Sequence, residues 1–460
     1  MAVLMFLVPR ASGGGAEKVI VSLASAMAEE HTVYLVTTIR EDGVETYPLS
    51  DRVNYLNVYS WAEEVHPAAP AQASPQPVPG GPGARIRAAL RRRLRFLAGR
   101  MPASVVEPVR EQVMKPEQEF QIRTVREMKE ALGVDCAVSF LNSANYINVM
   151  SRTGERTIVS IRSYPESRYA PADNWTEAGR ARIRTVCELA DCVVSVAKET
   201  ADCMAAVYGV PAEKMRVIYN YVDMEDIARR RAEPLADPDL EQALEKAGFV
   251  FDSTGRLTEK KGQWHLIRAF RAVLRTHPDA LLVIPGREGK GRDNTAELLR
   301  SVIRENGLDG RVLLPGWCPN PYALLARCDA FVETSFNEGF PNALAEAMAL
   351  GLPVISTDCR SGPREILAPS TDYSVKATAA EVAEFGILVP ECSGKHLLAE
   401  PLEPEEEILA GAMLSLLEDR ELRDRFREKS LERALQFSKG DTLSQWKALI
   451  EGGEGAMEET

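Results

Sequence analysis

The run Ser335-Phe-Asn-Glu-Gly-Phe-Pro-Asn-Ala-Leu-Ala-Glu-Ala-Met-Ala-Leu-Gly351 passes through the apolar Leu352 to Ile355 into Ser356-Thr-Asp-Cys-Arg-Ser-Gly-Pro-Arg-Glu365. Two carboxylates, Glu338 and Glu346, stand in it with seven residues between them. Gly339 and Pro341 break regular structure around Glu338, so that residue is placed in a loop. Asn342 to Leu350 has helical composition, and Gly351 ends the helix. Glu346 then sits about a turn into a helix whose amide-rich start lies beside Glu338. Such a start binds phosphate, because its unpaired N–H groups and positive dipole end face outward. The nearby carboxylates accept hydrogen bonds from hydroxyls of the same ligand. A nucleotide sugar carries both kinds of group.

The Glu-Gly-Phe-Pro-Asn-Ala-Leu-Ala-Glu context of Glu338 and Glu346, with the trailing Gly-x-Pro-Val-Ile, resembles the paired-glutamate motif of retaining GT-B glycosyltransferases, specifically glycosyltransferase family 4. The resemblance implies an α/β fold of two facing Rossmann-like, doubly wound parallel-sheet domains with a cleft between them. It also implies retention and a UDP-sugar donor, either a UDP-hexose or a UDP-N-acetylhexosamine. In the implied roles Glu346 binds the ribose hydroxyls and Glu338 the donor sugar hydroxyls. The amides of Gly339 and Phe340, ahead of Pro341 and Asn342, touch phosphate. The segment Ser361-Gly-Pro-x-Glu-Ile-Leu367 further resembles bacterial transferases that build polysaccharide or oligosaccharide on a polyprenyl diphosphate carrier.

The other signals are spread along the chain. Gly255-Arg-Leu-Thr-Glu-Lys-Lys-Gly262 lies between an apolar strand beginning at Val250 and a helix carrying Leu266, Ile267, Phe270 and Leu274. Strand-to-helix loops at the carboxyl edge of an α/β sheet bind phosphate. Arg256 and Lys261 there would neutralise a diphosphate and the charge that develops on it as a sugar departs. With these cations in place, no Asp-x-Asp cluster beside them suggests a metal, and no cofactor is expected. Gly286-Arg287 follows a further strand as a backbone-exposing turn. Trp317 falls where the family contacts the base.

At the amino end, a strand ending at Val8 leads to Pro9-Arg-Ala-Ser-Gly-Gly-Gly-Ala-Glu-Lys18, then to a helix with Val19, Leu23 and Met27 on one face, then to a strand over 32–37. A dinucleotide-binding Gly-x-Gly-x-x-Gly would need a third glycine where Lys18 stands, which weakens an oxidoreductase reading. Gly13, Gly14, Gly15 and Glu17 resemble instead the acceptor-side loop of family 4 enzymes; the alternative is a tight turn only. Near the end of the strand over 156–162, where many members carry a histidine, Arg162 stands. It either stabilises phosphate, orients the acceptor, or makes a surface ion pair. The turn Asn142-Ser-Ala-Asn145 and the acidic, proline-bearing run from Glu225 to Glu245 read as connections, the latter between domains spanning 1–225 and 226–435. Residues 436–460 read as a terminal helix packing back on the first domain, with a flexible tail.

Composition narrows the class. The chain has 460 residues, enough for two or three domains, and 45 % are hydrophobic, so it is globular. A formal net charge of −12 argues against nucleic acid as a partner. Eight cysteines without a close CxxC pair read as reduced core residues of a cytoplasmic protein. The opening Met1 to Val8 is too short and lacks the positive leader of a signal peptide. Against the acidic balance, residues 66–83 read as a mobile Pro/Ala-rich loop, and Arg85 to Arg100 carries seven arginines with a leucine stripe. That stretch reads either as peripheral contact with anionic lipid at the inner membrane face or as a solvated helix packed on the first domain.

The expected partners are therefore a nucleotide-sugar donor and a glycan or lipid-linked acceptor. The rivals are a nucleotide-sugar epimerase or phosphorylase on the same architecture, a glycoside hydrolase using the two glutamates, and a catalytically inactive sugar-nucleotide-binding protein.

Overall fold

The computed structural model describes residues 1–40, 47–65, 103–167, 176–289 and 293–452. The loop over 66–83, the arginine-rich stretch Arg85 to Arg100 and the tail beyond residue 452 lie outside the described residues. Among the described residues no helix is long and apolar enough to cross a membrane. All eight cysteines are free and all but Cys318 are buried, as expected of reduced core residues.

The chain forms two compact units, Met1–Ser160 with Arg182–Val193, and Ile161–Ala181 with Val194–Thr460. In the first, strands β1 (Val3–Val8), β2 (Thr32–Thr37), β3 (Val53–Asn57), β4 (Cys136–Phe140) and β5 (Arg156–Ile161) run in the order β3-β2-β1-β4-β5. Each neighbouring pair is parallel. β1 is buried from Leu4 to Val8, which is why it reads as an unbroken apolar run. The glycine-rich turn follows it and opens α1 (Gly15–Met27), whose buried side includes Val19, Leu23 and Met27.

Helices α2 (Ala103–Leu132) and α3 (Asn142–Met150) flank the same sheet. The predicted turn at Asn142–Asn145 is thus the first turn of a helix. Asn142 and Ser143 are exposed, whereas Asn145 and, in the next turn, Asn148 are buried and bonded: Asn145 Nδ2 donates to the carbonyl of Ser160 at 2.9 Å, and Asn148 Nδ2 to that of Ala137 at 3.2 Å. Between these elements Lys129 and Glu155 form an ion pair of 2.7 Å with neither side chain exposed.

The second unit contains the end of β6 (Cys192–Ser195), β7 (Met215–Val217) and α4 (Lys198–Tyr208). Its main sheet is built from β8 (Phe249–Asp252), β9 (Ala280–Val283), β10 (Val312–Leu313), β11 (Ala330–Glu333), β12 (Val354–Thr357), β13 (Glu381–Val382) and β14 (Ile387–Val389). The order is β10-β9-β8-β11-β12-β14-β13, with β13 antiparallel to β14. Both faces are covered: Phe249 and Phe251 enter one apolar cluster and Val250 the other, so β8 shows no polar alternation.

The acidic run from Glu225 to Glu245, expected as a connection, instead folds into α5 (Met224–Arg230) and α6 (Pro238–Lys246). Its acids cap rather than link. Asp223 accepts from the amide of Asp226, and Asp237 from those of Asp239 and Leu240, while Ile227, Leu240 and Leu244 are buried in the second core. The last helix, α7 (Lys439–Ile450), buries Trp446 and Ile450. The residues just ahead of it lie along Val222, whose amide donates to the carbonyl of Phe437 at 2.8 Å, and Lys439 pairs with Asp223 at 2.6 Å.

Candidate active site

The chain leaves β8 toward β9 and β10 on one side and returns to β11, β12 and β14 on the other. The topological switch lies between β8 and β11, where Ala330 pairs with Phe251 and Phe331 with Asp252. Open α/β sheets bind ligands at that point, outside the carboxyl ends of the strands. The loops leaving these two strands hold Arg256, Lys261 and Glu338.

Backbone hydrogen bonds lock the two loops together. Phe336 N donates to Lys260 O at 2.8 Å, and Thr334 Oγ1 donates to Lys261 O at 3.0 Å. Lys261 Nζ then donates to Glu333 Oε1 at 2.6 Å and stands 2.8 Å from Glu338 Oε1, an ion pair without hydrogen-bond alignment. Lys260 Nζ approaches Glu338 Oε2 at 3.7 Å. Burial alone would raise the pKa of Glu338, but Lys260 and Lys261 outweigh it and hold this carboxyl at about 2. Burial opposes the charge on Lys261 too, and Glu333 with Glu338 overturns that and raises its pKa. At Glu333 burial wins, with the Glu338 charge adding to it, and its pKa is raised. Arg256 is exposed and makes no ion pair among the described residues, so its guanidinium is available to a phosphate.

The loops after β8, β9 and β10 also lie side by side. Gly255 N donates to Pro285 O at 3.0 Å and Gly286 N to Gly316 O at 2.8 Å. Gly286 has no room for a side chain, since a Cβ would come 1.7 Å from Gly255 O. The Arg287 guanidinium stacks on the Trp317 ring, 4.3 Å from its centroid, and Trp317 is 54 % exposed. An exposed aromatic ring with a cation stacked on it suits a planar group.

Around the second glutamate, Pro341 precedes α8 (Asn342–Ala349), whose start has no side-chain cap. Glu346 is half-buried, and α9 (Pro321–Leu325) brings the buried Tyr322, whose hydroxyl donates to Glu346 Oε1 at 2.9 Å. Gly339 lies so close to Arg162 O that a Cβ would meet it at 2.5 Å. The Phe340 ring packs on Tyr219 and Phe437, so this residue can offer a ligand only its backbone. The Arg162 guanidinium donates to Asn220 Oδ1, and Asn220 Nδ2 donates to Asn342 Oδ1 at 2.7 Å. The acceptor-side candidates Gly13, Gly14, Gly15 and Glu17 belong to the first unit, where the Tyr47 hydroxyl bonds Gly14 O at 3.1 Å.

Sequence reasoning missed Glu333, Tyr322 and Asn220 as parts of the site. A charged residue closing the otherwise apolar β11 was the one available signal for Glu333. His265, Glu403 and Glu406 converge as metal ligands would. Arg268 nevertheless engages both Glu406 oxygens, at 2.8 and 3.0 Å, and Gly394 N donates to His265 Nε2, so the cluster is a closed polar core.

Asp252, buried at the end of β8, accepts Thr254 N on Oδ1 while Oδ2 has no partner, and burial pushes its carboxyl up to about 7. The folded state therefore holds a proton there that the unfolded chain gives up near pH 4. This group's stabilisation is complete below that pH and is lost as pH rises to about 7. Asp252→Asn is expected to recover up to about 4 kcal/mol at pH 8 and little at pH 4. Urea unfolding of both proteins across that range checks it, and a pH-independent difference would contradict the assignment.

Comparison with known proteins bears on the family and the fold. The family model described as Glycosyl transferases group 1 matches residues 238–387, and Glycosyltransferase Family 4 matches residues 120–226. An uncharacterized glycosyltransferase of Methanocaldococcus jannaschii is 36 % identical over 267 residues, 57 % of this chain and 64 % of the relative. The N-acetylgalactosamine-N,N'-diacetylbacillosaminyl-diphospho-undecaprenol 4-alpha-N-acetylgalactosaminyltransferase of Campylobacter jejuni is 31 % identical over 311 residues, 67 % of this chain and 74 % of the relative. The chain thus spans somewhat under two thirds of the archaeal relative and about three quarters of the bacterial one. Among solved structures, sucrose-phosphate synthase of Thermosynechococcus elongatus superposes with a TM-score of 0.70 at 17 % identity over 98 % of this chain and 99 % of that one. HepE of Anabaena, crystallised with UDP and glucose, gives 0.63 at 16 % identity over 98 % and 100 %. Those two likenesses speak for the fold, two parallel-sheet α/β domains of GT-B type. With the sequence relatives, they place this chain in glycosyltransferase family 4, among the GT-B glycosyltransferases.

Proposed function

We propose that the protein is a retaining, metal-independent transferase that moves a hexose or N-acetylhexosamine from a UDP-sugar to a glycan or polyprenyl-diphosphate-linked acceptor in surface polysaccharide or oligosaccharide synthesis. The observation that carries the reading is Lys261, held between Glu333 and Glu338 at the switch point of the sheet. Arg256 and Lys261 take the diphosphate, joined by the amides of Gly339 and Phe340 at the start of α8. As the bond between the sugar and the diphosphate breaks, charge grows on the diphosphate oxygens, and fixed cations there lower the barrier. Glu338, ionised throughout the neutral range, accepts from donor sugar hydroxyls. Glu346, oriented by Tyr322, accepts from the ribose, and Gly286, Arg287 and Trp317 hold the base.

On this reading residues 226–435 are the donor domain and 1–225 the acceptor domain. Gly13, Gly14, Gly15 and Glu17 contact the acceptor, and Arg162 fixes Asn342 at the helix start through Asn220. The acceptor class rests on the Campylobacter relative, whose name specifies a diphospho-undecaprenol substrate, and on an Escherichia coli UDP-Gal:alpha-D-GlcNAc-diphosphoundecaprenol alpha-1,3-galactosyltransferase, 32 % identical over 147 residues. The UDP complexes of HepE support the donor nucleotide. Placement at the inner membrane face follows from that acceptor.

The test is nucleoside diphosphate release from a panel of UDP-, GDP- and ADP-sugars, with and without a polyprenyl-diphosphate-linked sugar. The anomeric configuration of the product is read by NMR, and the rate is compared with and without EDTA. Acceptor-dependent release from a UDP-sugar, with configuration kept and no effect of EDTA, is expected. Acceptor-independent interconversion of donors would make the protein an epimerase. Donor binding without turnover would make it a sugar-nucleotide-binding protein.

A further inference from the structure

A cavity of about 390 Å³ opens beyond the carboxyl ends of β12 and β14, neighbouring parallel strands that pair through Thr357 and Val389. It shares no lining residue with the donor site. Asp358 and Arg360 line it after β12, Lys376 joins from the following loop, and Glu391, Glu405 and Ile408 complete it after β14. The two places are nevertheless adjacent in the backbone, because Glu338 N donates to Arg360 O at 2.7 Å.

Asp358 is the unusual member. It is buried, and its Oδ2 accepts from Arg364 Nε at 2.9 Å, Arg364 Nη2 at 2.6 Å and Ala377 N at 2.7 Å. Its Oδ1 is buried without a hydrogen bond, and the nearest cation, Lys376 Nζ, stays 4.0 Å away. A carboxylate fixed this firmly on one oxygen and left open on the other is an acceptor awaiting a donor. The cations of the cavity do not ask for an anion. Arg360 and Lys376 are both engaged by the buried Glu199, at 2.5 and 2.9 Å, and the lining carboxylates would repel one. The same two cations oppose a metal ion. A neutral ligand with several hydroxyls avoids both conflicts, and Ile408 with the lining prolines Pro390 and Pro404 offers an apolar face.

We propose that this cavity is a saccharide subsite, holding one neutral sugar ring with hydroxyls donating to Asp358 Oδ1 and Glu405 and with its C–H face against Ile408. The choice of saccharide rests on the transferase reading above. The ring belongs to the acceptor glycan, since the cavity shares no lining residue with the donor site, where Glu338 takes the donor sugar.

Saturation-transfer NMR on the full chain tests it, with N-acetylglucosamine, N-acetylgalactosamine, galactose and glucose as probes at millimolar concentration and UDP affinity as the control. Two variants are compared with wild type. Asp358→Asn removes the fixed carboxylate, and Thr378→Trp fills the cavity from an exposed rim position, where folding is not at stake. At least tenfold weaker saccharide binding in Thr378→Trp, with UDP affinity unchanged, is expected. In turnover, a tenfold rise in the acceptor KM of Thr378→Trp is expected, and a rise confined to the donor KM would overturn the assignment to the acceptor. Saccharide signals equal in wild type and Thr378→Trp, or none while UDP still binds, would overturn the subsite. Wild type that binds saccharide through this cavity but neither binds UDP nor turns over any nucleotide sugar would instead sink the transferase reading and leave the subsite standing.

Discussion

Lys261→Ala is expected to lower transfer by about 10²–10³-fold while leaving the acceptor KM unchanged. The side chain is a half-buried cation at the switch point that touches two carboxylates, Glu333 at 2.6 Å and Glu338 at 2.8 Å. Its removal takes a positive charge from the place where diphosphate charge develops. It also leaves Glu333 and Glu338 facing each other with only Lys260, 3.7 Å from Glu338, as compensation. Two further results follow from that repulsion. The folded protein should lose roughly 3 kcal/mol, because breaking a buried pair from one side strands the remaining charge. The carboxyl of Glu338, now at about 2, should rise, and the acid limb of the activity profile should move up with it. Lys261→Met combined with Glu333→Gln should regain most of the stability and none of the activity, which separates the catalytic contribution from the structural one. Activity within a few-fold of wild type in Lys261→Ala would remove this lysine from the mechanism.

The second large effect lies in the other unit. Lys129→Met should destabilise the first unit by about 3–5 kcal/mol, since it strands Glu155 in the core. Lys129 Nζ is enclosed by Glu155 Oε1 at 2.7 Å and by the backbone and side-chain oxygens of Asn148, both at 2.8 Å. Burial pushes this ammonium down to about 8, whereas at Glu155 the opposing effect of burial is outweighed by Lys129 and by the amide of Thr153, so its carboxyl is held below the usual range. Burial wins at one partner and pairing at the other. Three oxygens around one nitrogen leave the lysine protonated at neutral pH. The double variant Lys129→Met/Glu155→Gln should recover a large part of the loss, because no charge is then buried. Urea unfolding followed by a probe in the first unit measures both. A loss below about 1 kcal/mol, the ordinary effect of a surface change, would show that the pair is not buried in solution.

What the sequence disclosed about the site was its local part. Glu338, Glu346, Arg256 and Lys261 stand in short segments whose glycines and prolines announce loops and helix starts, and such signals survive without knowledge of the fold. Glu333 and Tyr322 act on Lys261 and Glu346 across 72 and 24 residues, and only the pairing of strands and the placing of a short helix bring them there. The hydrogen bond from Arg162 to an asparagine 58 residues on is hidden from the sequence for the same reason. The acidic run at 225–245 was misread because caps and linkers share a composition; what distinguishes them is the spacing of Ile227, Leu240 and Leu244 against a core that is not visible in one dimension. Parallel strands, by contrast, were legible nearly throughout, since burial on both faces writes them as unbroken apolar runs.

One contact has a bearing on how the chain is made. The start of α4 has no cap of its own. The amides of Lys198 and Glu199 donate to Glu365 at 2.7 and 3.1 Å, and the Tyr219 hydroxyl joins them at 2.8 Å. The carboxylate that closes this helix lies 167 residues downstream of its first turn. On a ribosome adding about 5–20 residues each second, α4 waits roughly 10–30 s for its cap. During that interval the β6–α4–β7 segment is bounded by open amides and cannot complete. Synthesis from the amino end thus leaves this segment to be finished by the last third of the chain, so a nascent chain truncated before Glu365 should expose it to proteases that the finished protein resists.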